Sequence, residues 1–443
     1  MTIRTRAADL LPLVPAAAIP LVFLHVKYQA HVSFGGATVD SSDVMVILAL
    51  AAAAASGLLF GWQGLLRVRL LWITAAALLA LFVVSCFWRP LELPKTHLIT
   101  AAKYLEYALL APAAVLLFRL RVDVMRFFAV YIAWGAAASV WGLLQFLGLV
   151  SEFEGKRPGQ REVSFLGHED FGAFTAGTLM IGLAALVLGE RPRLAQAAIL
   201  VGALGVILDG SISVYLGVLL AALAALWIGR RARTLTVRRF LALAGVLLVV
   251  GAGVNLLRGS DVSNYLSFLG VHRAARAPTT DVQTGSQRVL LLYIGLRIWE
   301  DHPWLGVGFE RSGNRYQPYL AAAHRRYPND PPLAFPSAQH PWGIQDFWVQ
   351  LLADTGVLGF LLGIATFATG ALTALRAPPG AYFVGLVAAG WILIAAGTLT
   401  AQGIVAGLPV DAVTWLGLGL AVAAHRLADG EPGTRLLGRQ APA

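Results

Sequence analysis

Charge is what this chain most lacks. Only 13% of its 443 residues are Asp, Glu, Lys or Arg, against 58% hydrophobic, and the mean hydropathy is +0.70. A water-exposed surface needs far more charge than that, so a soluble globular fold is excluded. Cysteine is almost absent. The single Cys86 lies in an apolar run, which rules out a disulfide framework and a cysteine metal cluster and leaves a packing role. Also missing are HExxH, a paired DxD in an outward link, clustered Cys and His, and glycine loops of the Walker or dinucleotide type. The sequence therefore points to no metal and no cofactor.

What is present is a series of apolar runs, each about long enough to cross a bilayer, which needs roughly 20 residues. They fall at about 8–26, 43–62, 70–88, 97–118, 125–149, 171–189, 194–209, 211–228, 239–257, 346–375, 380–401 and 408–427. A helix satisfies its own backbone in lipid, and these runs are too long and continuous for barrel strands. The first run follows Arg4 and Arg6 and has the outline of a signal peptide. Pro12, Pro15 and Pro20 interrupt it and no small-residue cleavage site follows, so it is read as an uncleaved span.

The net charge of +10 is a matter of placement rather than of nucleic-acid binding. Arg67/Arg69, Arg119/Arg121/Arg126, Arg191/Arg193, the cluster Arg230, Arg231, Arg233, Arg238 and Arg239, then Arg376 and Arg426 fall on the same side as Arg4 and Arg6. The positive-inside rule makes that side cytoplasmic, with both termini inside the cell and the chain multi-pass in the cytoplasmic (inner) membrane. The expected architecture is an all-α membrane protein of about twelve transmembrane helices. Helices one to nine occupy 1–257, a large helical extracytoplasmic loop occupies 258–345, helices ten to twelve occupy 346–430, and a cytoplasmic tail occupies 431–443.

Polarity concentrates in two outward segments. One is Ser151 to Asp170, SEFEGKRPGQREVSFLGHED. The other is Arg258 to Gln345, in which Thr284 to Asp301 reads as a helix starting at a Ser/Thr cluster and stopping before Pro303. At about 100° per residue, Arg288 and Arg297 lie on roughly opposite faces of that helix. A DHPWLGVG turn, an aromatic and basic run and a proline-rich piece lead to His340, after which Trp342, Phe347 and Trp348 suit an interfacial belt.

Arginines at a membrane face either snorkel to lipid phosphates or clamp a phosphorylated substrate with their planar fork of donors. The cytoplasmic ones fit the first use. Arg157, Arg161, Arg288 and Arg297 run against the usual charge bias and are open to the second. Among nine histidines, His25, His31, His97, His272, His324 and His425 have no supporting neighbours and read as surface or interfacial. His302, before Pro303, suits a structural turn. His168 stands beside two carboxylates, and His340, between loop and span, suits a general base because imidazole titrates near neutral pH. Lys103 and Glu106, three apart in an apolar span, are expected to neutralise each other, and Asp209 and Asp411 to mark span ends.

With these residues in view, the chain resembles the O-antigen ligase and polymerase superfamily of membrane glycosyltransferases. The resemblance rests on about twelve spans and a large outward loop before the tenth. Its motifs are SQRVLLLYIGLRIWEDHPWLGVG entering that loop, HPWGIQDFWVQLLADTGVLG leaving it, and the earlier link REVSFLGHEDFGAF. It implies a GT-C-like fold and glycan transfer from undecaprenyl pyrophosphate to an acceptor hydroxyl on a lipid or glycan, at the outer membrane face and without metal. It assigns His340 as base, Arg288 as pyrophosphate clamp and Arg161 as a further phosphate contact; Arg157, Arg297 and His168 stay substrate-binding candidates on the reading of charge and neighbours given above. Two positions depart from the family pattern. Val214, in DGSISVYLG, stands where many members have the arginine of a Ser-Arg-Gly element, and Gln345-Asp346 stands where many have His-Asn. Arg157 or Arg161 is the expected substitute for the missing cation. A transporter or flippase is the competing class, but such proteins show related halves and midmembrane polar sites. Here polarity gathers in one outward loop. A non-catalytic membrane scaffold is the third reading.

Overall fold

The computed structural model describes residues 9–34, 37–87, 95–151, 158–258, 284–340 and 342–428. Arg4, Arg6 and Arg157 lie outside them. All twelve apolar runs are helical. In chain order the elements are α1 (Val14–Val22), a hairpin of β1 (His31–Phe34) and β2 (Ala37–Asp40), α2 (Ser41–Phe60), α3 (Arg69–Ser85), α4 (Lys95–Ala108) and α5 (Leu110–Leu117). Then follow α6 (Arg121–Phe146), α7 (Asp170–Leu188), α8 (Pro192–Asp209), α9 (Ile212–Arg231) and α10 (Val237–Arg258). The last group is α11 (Thr284–Asp301), α12 (Leu320–Arg326), α13 (Phe347–Leu375), α14 (Tyr382–Thr398) and α15 (Leu408–Ala428).

Among the described residues nine helices are long and apolar enough to cross a membrane, and Leu11–Val22 and Arg69–Ser85 are shorter apolar helices. Nine of the twelve expected spans are thus helices of spanning length; two are the shorter helices and the twelfth run is α15, which is outside both sets. The protein is a mostly helical, multi-pass membrane protein.

Burial sorts the helices. Within their apolar windows α7 is 94% buried and α14 83%, whereas α10 is 17% buried, so α7 and α14 form the axis and α10 faces lipid. The axis is sealed by aromatics. Tyr131 stacks on Phe174 at 3.9 Å and its hydroxyl donates to the Phe174 carbonyl, while Trp391 Nε1 donates to the Gly177 carbonyl. Because lipid supplies no hydrophobic drive between helices, close backbone approach does the packing. Along the α7/α8 seam a Cβ at Gly202 would overlap the Leu179 backbone, and one at Gly172 would overlap the Asp209 carboxylate. This seam fixes the end of α8 beside the start of α7.

Outside the bundle, the stretch from α11 to the start of α13 has its own small core. Leu290, Leu291, Ile294, Ile298, Tyr316, Phe335 and Ile344 are buried together there. The turn expected at Asp301 to Gly308 is present and braced on α13. Val307 and Gly308 amides donate to the carbonyls of Ala353 and Asp354, and the Val357 amide donates to the Pro303 carbonyl. At Gly356 (φ 67°, ψ −166°) α13 kinks, and any Cβ there would strike the Trp304 backbone.

Two readings made from the sequence are corrected. Lys103 pairs with Asp40 (3.4 Å) and Asp43 (3.2 Å) rather than with Glu106, because the end of β2 and the first turn of α2 bring a carboxylate pair to it. His97 is buried, not interfacial, at 8% exposure.

Candidate active site

The end of α8, the loop before α7 and the start of α11 meet at one polar cluster. Arg288, one turn into α11, forms an ion pair with Glu169 at 2.5 Å, with side chains 25% and 3% exposed. Glu169 has left-handed backbone (φ 64°, ψ −30°), a conformation that costs a non-glycine residue about 1–3 kcal/mol. That strain is held at the residue facing Arg288. Arg161 donates through Nε to the Asp209 carbonyl (2.6 Å), and Arg258 donates through Nε to the next carbonyl, Gly210 (2.7 Å). Asp209 is fully buried and its carboxylate accepts from the Ser211 amide at 3.0 Å.

Burial pulls the Arg161 guanidinium down to about 10, with Asp209 opposing most strongly, then Arg258 repelling, Glu169 attracting and Arg288 repelling. All five groups are thus within electrostatic reach of one another through Arg161, which stays charged at neutral pH. Among the described residues, Arg161 Nη2 and Arg288 Nε are buried N–H groups with no hydrogen-bond partner. Buried donors of that kind are exceptional, and here they belong to two cations that act on each other electrostatically. The arrangement suits a multiply charged anion.

The sequence candidates distribute unevenly around this cluster. Arg288 and Arg161 are brought together in it. Arg297 faces the other way on α11, as the helical geometry requires, and pairs at the exposed surface with Glu300 (2.6 Å) and the Tyr293 hydroxyl (3.3 Å). His168 precedes Glu169 and is partly buried, while the His25 ring packs against Gly167 just before it. Asp209, expected only to mark a span end, is instead a member of the cluster.

His340 is exposed at a tight turn, where its carbonyl accepts from the Ser337 amide and its amide donates to Ser337 Oγ. Its ring stacks on Trp342 at 5.8 Å and 16°, and Trp342 is tied by Nε1 to the Leu333 carbonyl. No hydrogen bond or ion pair among the described residues joins His340 to Arg288. The connection runs through the chain. Ile344 packs over Gly295 of α11, and the Arg288 guanidinium acts on Asp346, which caps α13 by accepting from the Val349 amide.

A second polar knot lies beside the turn. Glu310, with φ 55°, and Asp354 are bridged by Gln350, whose Nε2 donates to both carboxyls (3.1 and 3.0 Å) and whose Oε1 accepts from the Ile404 amide. Asp354 also accepts from the amides of Glu310 and Ser312. Its bonds all serve to hold the turn, and no group of four or three His, Cys, Asp or Glu suited to a metal occurs among the described residues.

Sequence reasoning missed Glu169, Asp209 and Arg258. Glu169 was visible only as half of an adjacent acidic pair, and Arg258 only as a cation at a helix end. Residues 197–364, which include Asp209, Arg258, Arg288 and His340, match the family model described as O-antigen ligase. A search of curated proteins returned no match.

Proposed function

We propose, from the match of residues 197–364 to the O-antigen ligase family model, that this chain acts as a member of the O-antigen ligase and polymerase superfamily and moves a glycan from undecaprenyl pyrophosphate to an acceptor hydroxyl at the outer face of the cytoplasmic membrane. The observation that carries this reading is the convergence of Arg161 and Arg288, distant in sequence, with buried N–H groups still unspent.

The chemistry follows from charge. The bond that breaks joins the anomeric carbon to a phosphate oxygen, and the leaving diphosphate gains negative charge as it departs. Guanidinium groups fixed beforehand stabilise that charge without reorganising, which is the largest single contribution open to such a site. Bidentate geometry also orients the donor. The acceptor oxygen attacks the anomeric carbon and loses its proton to His340, whose ring is steadied by Trp342 and open to a bulky acceptor from outside. Arg288 is the principal clamp, Arg161 takes the place of the cation that Val214 does not supply, and His168 lies close enough in sequence to Glu169 to line the donor.

Ligase and polymerase differ only in the acceptor, a lipid for one and a growing glycan for the other. The test is transfer by the purified protein in lipid nanodiscs from a polyprenyl-diphosphate glycan. Deletion of the gene with analysis of surface glycan separates the two, since unattached long chains indicate a ligase and single repeat units a polymerase. Absence of transfer from every lipid-diphosphate donor, with both phenotypes wild type, would overturn the reading.

A further inference from the structure

Resting on the diphosphate reading above, we propose that Glu169 is a built-in rival anion. Its charge loosens the hold of Arg288 and Arg161 on the donor's diphosphate and so lets the spent carrier leave. The Glu169 carboxylate accepts from one terminal nitrogen of Arg288, through Oε1 at 2.5 Å. The same carboxylate attracts Arg161, so a single negative charge lies within reach of both guanidinium groups. A phosphate oxygen would engage the same two cations by the same charge-assisted bonds.

An ion pair that only braced the fold would need neither of two features seen here. Glu169 holds left-handed backbone (φ 64°, ψ −30°), a cost carried at that one residue. The pair is also lopsided, with the Glu169 side chain 3% exposed and that of Arg288 25%, so an anion arriving from solvent meets the guanidinium first. Arg288 Nε is buried and has no partner among the described residues, which leaves a donor over for phosphate. Asp346, the other carboxylate on which Arg288 acts, is committed to the Val349 amide as the cap of α13. The charges acting on Arg161 are Asp209 and Glu169 against Arg258 and Arg288, so with Arg161 itself the set holds three positive charges and two negative. That surplus of one falls short of a doubly charged diphosphate diester, and further short of the diphosphate left once the glycan has gone. Without Glu169 the cluster would match the donor's charge and hold the product harder.

The test uses the full-length protein in nanodiscs and inorganic pyrophosphate as the probe. Glu169→Gln keeps the shape and a hydrogen-bond acceptor for Arg288 and removes the charge. It is expected to bind pyrophosphate about tenfold tighter or more, since a close repulsion in a partly buried site is gone. With a lipid-diphosphate glycan as donor, its first turnover should be at least as fast as that of wild type and its steady-state rate lower, because release is slow. A residue that merely braced Arg288 would give the opposite, weaker binding and a slower first turnover. Glu169→Asp keeps the charge and should not tighten binding. Should Glu169→Gln not fold, Glu169→Asn removes the charge with a residue type that takes left-handed backbone at small cost, and the same tightening is expected. Pyrophosphate affinity no higher than wild type in the folded neutral variant, with binding still lost in Arg288→Gln, would overturn the proposal and leave the diphosphate reading standing. An undiminished steady-state rate alongside tight binding would overturn it as well. Failure of wild-type protein to bind pyrophosphate or a lipid diphosphate at all would remove both.

Discussion

Replacing Arg288 by alanine should cost stability as well as activity, because Glu169 depends on it. The Glu169 side chain is 3% exposed and Arg288 is its ion-pair partner. Removing one member of a buried pair costs about 3–5 kcal/mol, since a charge is left in low dielectric without its hydrogen-bonded partner. Arg288 keeps a quarter of its side chain exposed, which admits water and puts the loss near the lower end, about 3 kcal/mol. At roughly 2 °C per kcal/mol for a large chain, the melting midpoint should fall by about 6 °C. Differential scanning fluorimetry in nanodiscs measures this. The double variant Arg288→Gln/Glu169→Gln removes both charges and should melt within about 2 °C of wild type. It should nevertheless transfer no glycan, which separates a folding defect from a lost clamp. Arg288→Ala melting with wild type would refute the dependence of Glu169 on Arg288. Transfer by the stable double variant would refute the clamp itself.

Three further outcomes are expected. His340→Ala should abolish transfer without moving the melting midpoint, because the ring is exposed and, among the described residues, stacks on Trp342 alone; wild-type turnover would remove His340 as base. Transfer should persist in EDTA, and a loss reversed by added divalent metal would contradict the metal-free mechanism. Burial, with Asp354 adding repulsion, pushes the Glu310 carboxyl up to about 8 from its ordinary 4.5. Over that window the folded protein holds a proton that the unfolded chain releases, so stability should fall as pH rises from about 5 to 8. Glu310→Gln should flatten that fall in thermal scans, and an unchanged pH profile in the variant would assign it to another group.

The bundle was largely legible in the sequence because lipid imposes a simple rule: long apolar runs become helices. All twelve runs are helical, and Thr284–Asp301 has the limits that its Ser/Thr start and following proline gave it. The 3.6-residue period also separated Arg288 from Arg297 correctly. What the sequence hid were contacts between segments far apart in the chain. Nothing local to Glu169 shows that α11 will place a guanidinium on it, and nothing local to Asp209 shows that a loop 48 residues earlier will fasten to its carbonyl. Arg258 looked like an ordinary helix-end cation for the same reason. Lys103 illustrates the reverse error, since its neighbour on the helix, Glu106, was preferred over Asp40 and Asp43, which only the folded junction of β2 and α2 brings near.

The bend at Gly356 has a mechanical consequence. Residues 303–308 are stitched to α13 on both sides of it, so this segment cannot lift away unless a turn of α13 unravels with it. In the flank around 328–340, where prolines and His340 lie, the backbone hydrogen bonds are local ones such as Ser337 to His340 and Ala334 to Pro331, with none to α13 among the described residues. Amide hydrogen exchange should find the stitched side slow and the flank around 328–340 fast; the reverse order would place the hinge at the bend instead.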